Sequence, residues 1–323
     1  MKVGIVGCGL IGSKRAALLE PGQLLAVADA DEAKAKELAA KIPGVKAYSD
    51  AVALIAHPGI EAVVVATPHR HLGPLALQAV QAGKHVLVEK PAARQASEFR
   101  PVVEEAARRG LRVKAGYNHR FHPALREAKR QLQASGEVLF LRARYGHGGR
   151  LGYEKEWRAQ KEVSGGGELI DQGLHLIDLA RMLMGPVESC EGLLPTLYWD
   201  MRVEDNAFLL LKHSGGRPSW LHASWTEWKN CFSLEASTRT LKVQVEGLGG
   251  SYGPEKLTIY RMKPELGPPD VEIREYPGAD ESWKAEWAEF EAAVREGREP
   301  EAGGADALAN LEVVDELYRK AGR

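Results

Sequence analysis

Through the first 118 residues, short apolar runs alternate with stretches of helical spacing. The runs are Lys2–Val6, Leu24–Ala28, Val45–Ala47, Glu61–Ala66, Lys84–Val88 and Arg112–Gly116. Between them, Leu10–Leu19, Asp31–Ala40, His69–Gln81 and Gln95–Arg109 read as helices. The runs are continuously apolar, the mark of strands buried on both faces. Strand and helix in alternation predict a parallel sheet with right-handed crossovers, a doubly wound α/β fold.

Beyond residue 118 the pattern changes. The β-like stretches lengthen, and Glu168–Met184 reads as one helix. Pro264–Pro269 reads as an exposed turn. Ser282–Arg323 reads as helices interrupted near Gly297–Gly304. Aromatic content divides the chain at the same place. Residues 1–118 contain only Tyr48, Phe99 and Tyr117, and all seven tryptophans come later. A chain of 323 residues accommodates two domains at roughly 150 residues each. We place them at 1–118 and 119–323.

Charge narrows the partners. Lys plus Arg is 43 and Asp plus Glu 44, a net charge of -1. That balance argues against nucleic acid or an anionic membrane as the main partner. No run approaches the ~18 apolar residues of a spanning helix. Cys8, Cys190 and Cys231 are far apart, with neither disulfide nor zinc spacing, so we expect a reducing cytoplasm and no metal. The glycine motif starting at Gly7 leaves no room for a secretory signal ahead of it.

That motif, Gly7-Cys-Gly9-Leu10-Ile11-Gly12, is G-x-G-x-x-G between a strand and a helix. Gly7 permits a tight turn, Gly9 lets a pyrophosphate approach the backbone, and Gly12 lets the helix pack on the strand. The helix start then presents N–H groups to the phosphates. Asp29 follows 22 residues after Gly7, at the end of the second strand. An acid there accepts a ribose 2′-hydroxyl and repels a 2′-phosphate. NAD is favoured, while Lys14 and Arg15 keep NADP open.

Three further segments carry chemistry. In His85-Val-Leu-Val-Glu89-Lys90-Pro91 a strand ends in Glu-Lys, and ligands bind beyond the carboxyl ends of such strands. Lys90 is therefore expected toward the nicotinamide. In Ser164-Gly-Gly-Gly167 followed by Asp171, His175 and Asp178, a helix would align the three polar groups on one face. An imidazole between two carboxylates suits acid/base work. At Asn118-His-Arg120-Phe-His122, where the last parallel strand would end, Asn118 and Arg120 are placed to face the cofactor cleft. His119 and His122 are ambiguous. Trp225-Thr-Glu-Trp228-Lys229 alternates like a strand, its rings suited to a sheet face or subunit interface, or to a pyranose. Arg142, Arg144, Arg150 and Lys155 form either a solvated basic face or a hold on a substrate phosphate or carboxylate.

Together these elements make the chain resemble the glucose–fructose oxidoreductase/inositol dehydrogenase (Gfo/Idh/MocA) family over essentially its full length. The matching elements are Gly7–Gly12, Asp29, Ala66-Thr67-Pro68, Ala82–Val86, Glu89-Lys90-Pro91, Asn118–Pro123 and Gly165–Asp178. The resemblance implies a Rossmann domain joined to an α+β domain with a large, mostly antiparallel open sheet that mediates homodimer or homotetramer formation. It implies an NAD(P)-dependent oxidoreductase acting on a sugar, cyclitol or sugar nucleotide. It adds Leu10, Ile11, Thr67, Pro68, Glu89, Lys90, Asn118, Trp157 and Arg158 to the cofactor contacts. Lys90, His175 and Asp171 become the catalytic set, with either Lys90 or His175 as base. One departure is Leu72, where many members have histidine; the neighbouring His69 and His71 take no assigned role. A dinucleotide-sensing regulator, or retained-NAD epimerase or glycosidase chemistry, are the rival readings.

Overall fold

The computed structural model describes all of residues 1–323, which form two compact units. The first comprises residues 1–117, 162–165 and 283–311. Its strands are β1 (Val3–Val6), β2 (Leu24–Ala28), β3 (Lys46–Tyr48), β4 (Ala62–Val65), β5 (His85–Val88) and β6 (Val113–Ala115). The helices between them are α1 (Leu10–Ala16), α2 (Glu32–Ala40), α3 (Ala51–Ile55), α4 (His69–Gln81) and α5 (Ala96–Arg109). The strands form one parallel sheet in the order β3-β2-β1-β4-β5-β6. The order reverses direction between β1 and β4, where such sheets bind dinucleotides. The expected helix Leu10–Leu19 ends early, at Ala16, and a turn follows.

Residues 283–311 belong to this unit for a packing reason. Trp287 and Phe290 are buried with Val3, Ile5, Leu24, Val27, Val64 and Leu87 in one apolar core. Ala115 N–H donates to Ala302 O, and Lys114 bridges to Gly303, so the outer edge of β6 is covered.

The second unit comprises residues 118–161, 166–282 and 312–323. It contains α6 (Pro123–Ser135), β7 (Phe140–Gly146) and, following the short helix α7 (Lys161–Ser164), the long helix α8 (Leu174–Met184). The remaining strands are β8 (Val187–Leu193), β9 (Asn206–His213), β10 (Arg217–Ser224), β11 (Cys231–Ser237), β12 (Leu241–Glu246), β13 (Glu255–Arg261) and β14 (Asp270–Tyr276). They form an eight-stranded sheet, β14-β13-β12-β11-β7-β10-β9-β8, antiparallel except for β7 beside β10. Alternation sets its two faces. In β12, Leu241, Val243 and Val245 are buried while Lys242, Gln244 and Glu246 are half-exposed. Helices α6 and α8 pack on the apolar face. The last helices of the chain are α9 (Ser282–Glu296) and α10 (Gly304–Lys320). No helix is long and apolar enough to cross a membrane.

Two expectations are corrected. Leu169–Gly173 is a π-helical turn that feeds α8, so Glu168–Met184 is not one regular helix. Wider turns of this kind are common at functional sites. Residues 225–230 are a loop, because β10 ends at Ser224. Trp225 is fully buried against Tyr153 and Val203, and Trp228 is exposed.

Candidate active site

In the first unit the glycine loop is shaped by close approach. Gly7 has φ +98°, and a Cβ there would lie 2.4 Å from Ala66 O. At Gly12 a Cβ would lie 1.8 Å from Gly7 O. Gly9 is different: a Cβ would meet no protein atom within 4 Å. Its α-carbon therefore borders open space at the start of α1. Leu10 and Ile11 open α1, with Leu10 exposed. Asp29 is fixed through both oxygens, accepting Cys8 N–H at 2.7 Å and Asp31 N–H at 2.9 Å. Thr67 Oγ1 is buried with no hydrogen-bond partner, beside Pro68 at the start of α4. Lys90 is half-buried just past the carboxyl end of β5.

One cationic expectation changes here. Glu89 is buried, and its carboxylate receives Arg15 Nε at 2.7 Å. Arg15 also reaches Glu286 at 2.7 Å and is itself buried. Its guanidinium is consumed by two carboxylates, so Arg15 cannot serve a 2′-phosphate. The Glu89 side chain braces the strand end through Oε1, which takes both Arg15 contacts. Lys14 lies over the Trp283 ring. His69 Nδ1 contacts Ser164 O at 2.8 Å and is buried, a structural position.

In the second unit a polar cluster forms around the π-helical turn. Glu204 organises the turn's start. Its Oε1 accepts Gly167 N–H, Leu169 N–H and Tyr318 Oη–H. Burial pushes the Glu204 carboxyl up despite these donors. Glycine is required because a Cβ at Gly166 would lie 1.8 Å from Tyr318 Oη, and one at Gly167 2.0 Å from Glu204 O.

The turn carries Asp171, buried, with Arg158 Nε 3.4 Å from its Oδ2. Arg158 also lies over the Trp157 ring. One residue on, Gln172 Oε1 is buried without a hydrogen-bond partner. Its Nε2 is 3.5 Å from Tyr252 Oη. His175 is buried and stacked on His119, with ring centroids 3.9 Å apart. Tyr145 from β7 stands edge-on to both imidazoles. Burial, with Tyr252 and then Asp171 and Glu168 near, pushes the Tyr145 hydroxyl well above its usual range, so it remains a neutral donor.

The neighbours of this cluster are structural. Arg120 grips Asp178 through two bonds of 2.7 and 2.6 Å. Asp178 thus supports α8, and Arg120 does not project as the strand-end reading expected. Asn118 donates to Ser282 Oγ at 2.9 Å, and its oxygen is 3.3 Å from His119 Nδ1. Each end of its amide thus makes one contact within this unit, and the second N–H and second lone pair remain. His122 contacts Glu255 at 2.9 Å. Arg142 and Arg150, both exposed, are paired with Glu235 and Glu156.

His119, Tyr145, Gln172 and Tyr252 are what sequence reasoning did not select. Histidine beside the Asn-x-Arg element was a signal for the first. Tyr252, in a glycine-rich stretch, left none.

Residues 1–117 match the family model described as an oxidoreductase family with an NAD-binding Rossmann fold. Residues 125–252 match the GFO/IDH/MocA C-terminal domain. The chain belongs to the Gfo/Idh/MocA family. Trans-1,2-dihydrobenzene-1,2-diol dehydrogenase of Homo sapiens is 31% identical over 282 residues, covering 84% of this chain and 81% of the relative. Inositol 2-dehydrogenase 2 of Saccharopolyspora erythraea is 35% identical over 192 residues, 57% of this chain and 54% of the relative. The match thus spans about half the length of that protein. A solved structure of levoglucosan dehydrogenase, in complex with NADH and L-sorbose, superposes with TM-score 0.87 at 22% identity, covering 100% of this chain and 96% of that one. At that identity the likeness is one of fold.

For this family member the first unit is the NAD-binding domain. Its residues fit the cofactor on their own account. The bare side of Gly9, the anchored Asp29 carboxylate and the unpartnered Thr67 hydroxyl are the features a dinucleotide would complete.

Proposed function

We propose that the protein is an NAD-dependent dehydrogenase acting on a secondary alcohol of a neutral, hydroxyl-rich ring, a sugar or cyclitol. The observation that carries this reading is the placement of a buried imidazole, His175, one helical turn after a buried carboxylate, Asp171, in a member of an NAD-binding family. Bound NAD supplies a nicotinamide ring that accepts the hydride. The chain's residues must hold the alcohol and take its proton.

His175 takes the hydroxyl proton, the task of a base with pKa near neutrality. Lys90 donates a hydrogen bond to the same oxygen and steadies its developing negative charge. Asp171 orients the substrate hydroxyl or the imidazole. Gly7, Gly9, Leu10, Ile11 and Gly12 hold the pyrophosphate, Asp29 the adenosine ribose, and Thr67 and Pro68 line the same cofactor. Trp157 and Arg158 complete the cofactor contacts. NAD is preferred over NADP, because Asp29 keeps its carboxylate and Arg15 is committed to Glu89 and Glu286.

The neutrality of the substrate rests on the cations. Arg120 and Arg158 each already face a carboxylate, which supports a ring bearing hydroxyls over a phosphorylated one. Relatives named for inositol and levoglucosan fit that class. Self-association through the open sheet face is part of the proposal. That face exposes Leu193, Leu210 and Trp220, an apolar patch flanked by charge. A Trp220→Asp variant would then sediment as a smaller species than the wild type.

The central test measures NAD reduction over a panel of cyclitols and sugars, with NAD affinity measured separately. Lys90→Met and His175→Asn should each lose turnover while NAD still binds. Near-full turnover in either variant removes that residue's role. Loss of NAD affinity alone in both removes the assignment of the site.

A further inference from the structure

His119 and His175 come from distant segments, one ahead of α6 and one in α8, yet their imidazoles lie face to face. The centroids are 3.9 Å apart and the planes differ by 30°. Both rings are buried. Asn118 Oδ1 lies 3.3 Å from His119 Nδ1, and Tyr145 stands across the edge of both rings, so the stack is held on several sides.

We propose that His119 is a positioning residue for His175, a role that rests on His175 being the base. The stacked ring sets the plane of His175, and at this spacing the pair holds one proton at a time. Two imidazolium charges in van der Waals contact and shielded from water repel strongly. A substrate proton therefore lands on His175 only when His119 is neutral, and the pair titrates as a unit. The other groups around the stack frame this behaviour. Asp171 is paired with Arg158, Asp178 with Arg120, and His122 with Glu255. Glu168 precedes the π-helical turn, Tyr145 and Tyr252 bring hydroxyls, and Asp280 is 3.9 Å from His122 Nε2.

The test uses the full-length protein. In ¹⁵N-histidine NMR from about pH 8 to about pH 5, His119 and His175 should share a single proton between them. Full, independent protonation of both rings over that range overturns the pairing. In kinetics, His119→Ala should lower kcat roughly tenfold or more with KM for NAD unchanged. His119→Phe keeps a flat ring in the stack and should recover most of that loss. A His119→Ala enzyme that melts normally and keeps kcat within twofold overturns the positioning role, as does a His119→Phe enzyme as slow as His119→Ala. Retained turnover in His175→Asn sinks the base assignment itself, a result independent of the NMR titration.

Discussion

The two units solve the problem of building a site in opposite ways. In the first, the atoms proposed to face the cofactor are mostly backbone, drawn from one loop. Gly7, Gly9 and Gly12 sit within six residues, and Asp29 reaches back to a backbone N–H of the same loop. In the second, the candidate groups are side chains from four separated segments: His119, Tyr145, the stretch from Asp171 in the π-helical turn to His175 in α8, and Tyr252. A backbone cradle is written in a short motif because absence of side chains is its chemistry. A side-chain cluster depends on strands and helices that bring distant positions together.

The sharpest break between them is kinetic. His175→Asn should reduce turnover roughly 10²- to 10⁴-fold and leave NAD affinity near the wild-type value. Steady-state rates together with NAD titration check this, and equal losses of turnover and affinity would erase the division of labour. Next in size is a stability effect confined to the first unit. Arg15→Met strands Glu89 and Glu286 as buried carboxylates, at a cost of about 3–5 kcal/mol. Urea unfolding measures it, and a loss under ~1 kcal/mol would mean that the carboxylates find other partners or protons.

A smaller change sharpens the cofactor half. Asp29→Ser removes a carboxylate that would receive the ribose hydroxyl, a charge-assisted bond of about 1.5–3 kcal/mol. NAD affinity should fall at least roughly tenfold, with NADP affected less. Paired titrations with the two cofactors decide it, and an unchanged NAD-to-NADP ratio would reject Asp29 as the selector.

The smallest effect belongs to the second unit's frame. Glu127 on α6 is lowered to about 2 by Arg130, with Gln131 and Arg274 adding to it. A carboxylate depressed by folding contributes stability that is present above its ordinary 4.5 and lost as pH falls toward 2. The stability gap between wild type and Glu127→Gln should be widest near neutrality and close on acidification. A gap that widens in acid would contradict the sign.

Particular residues show how far the sequence could be read. The parallel sheet followed from continuous apolar runs such as Ala62–Val65, whose burial on both faces leaves no alternation to misread. Gly12 was legible because the demand for a bare Cα is local. Arg15 was misread as a candidate for a 2′-phosphate, since its partners Glu89 and Glu286 lie 74 and 271 residues away. Trp225 was read into a strand because period-two alternation does not report where a strand stops. Trp287 and Phe290 went unplaced for a similar reason. An amphipathic helix states that it has an apolar face, but not which sheet receives it.

By itself, then, the sequence determined the glycine loop, its acidic partner, the strand-end lysine and the helix-borne histidine, all set by spacing along a few residues. Tertiary structure alone decided that Arg15 is spent on buried carboxylates, that a π-helical turn carries Asp171 ahead of His175, and that a second imidazole lies against the first. Local chemistry depends on φ, ψ and neighbours a turn away. Pairing across the fold depends on which surfaces exclude water together, and that is settled only once the sheets and helices have packed.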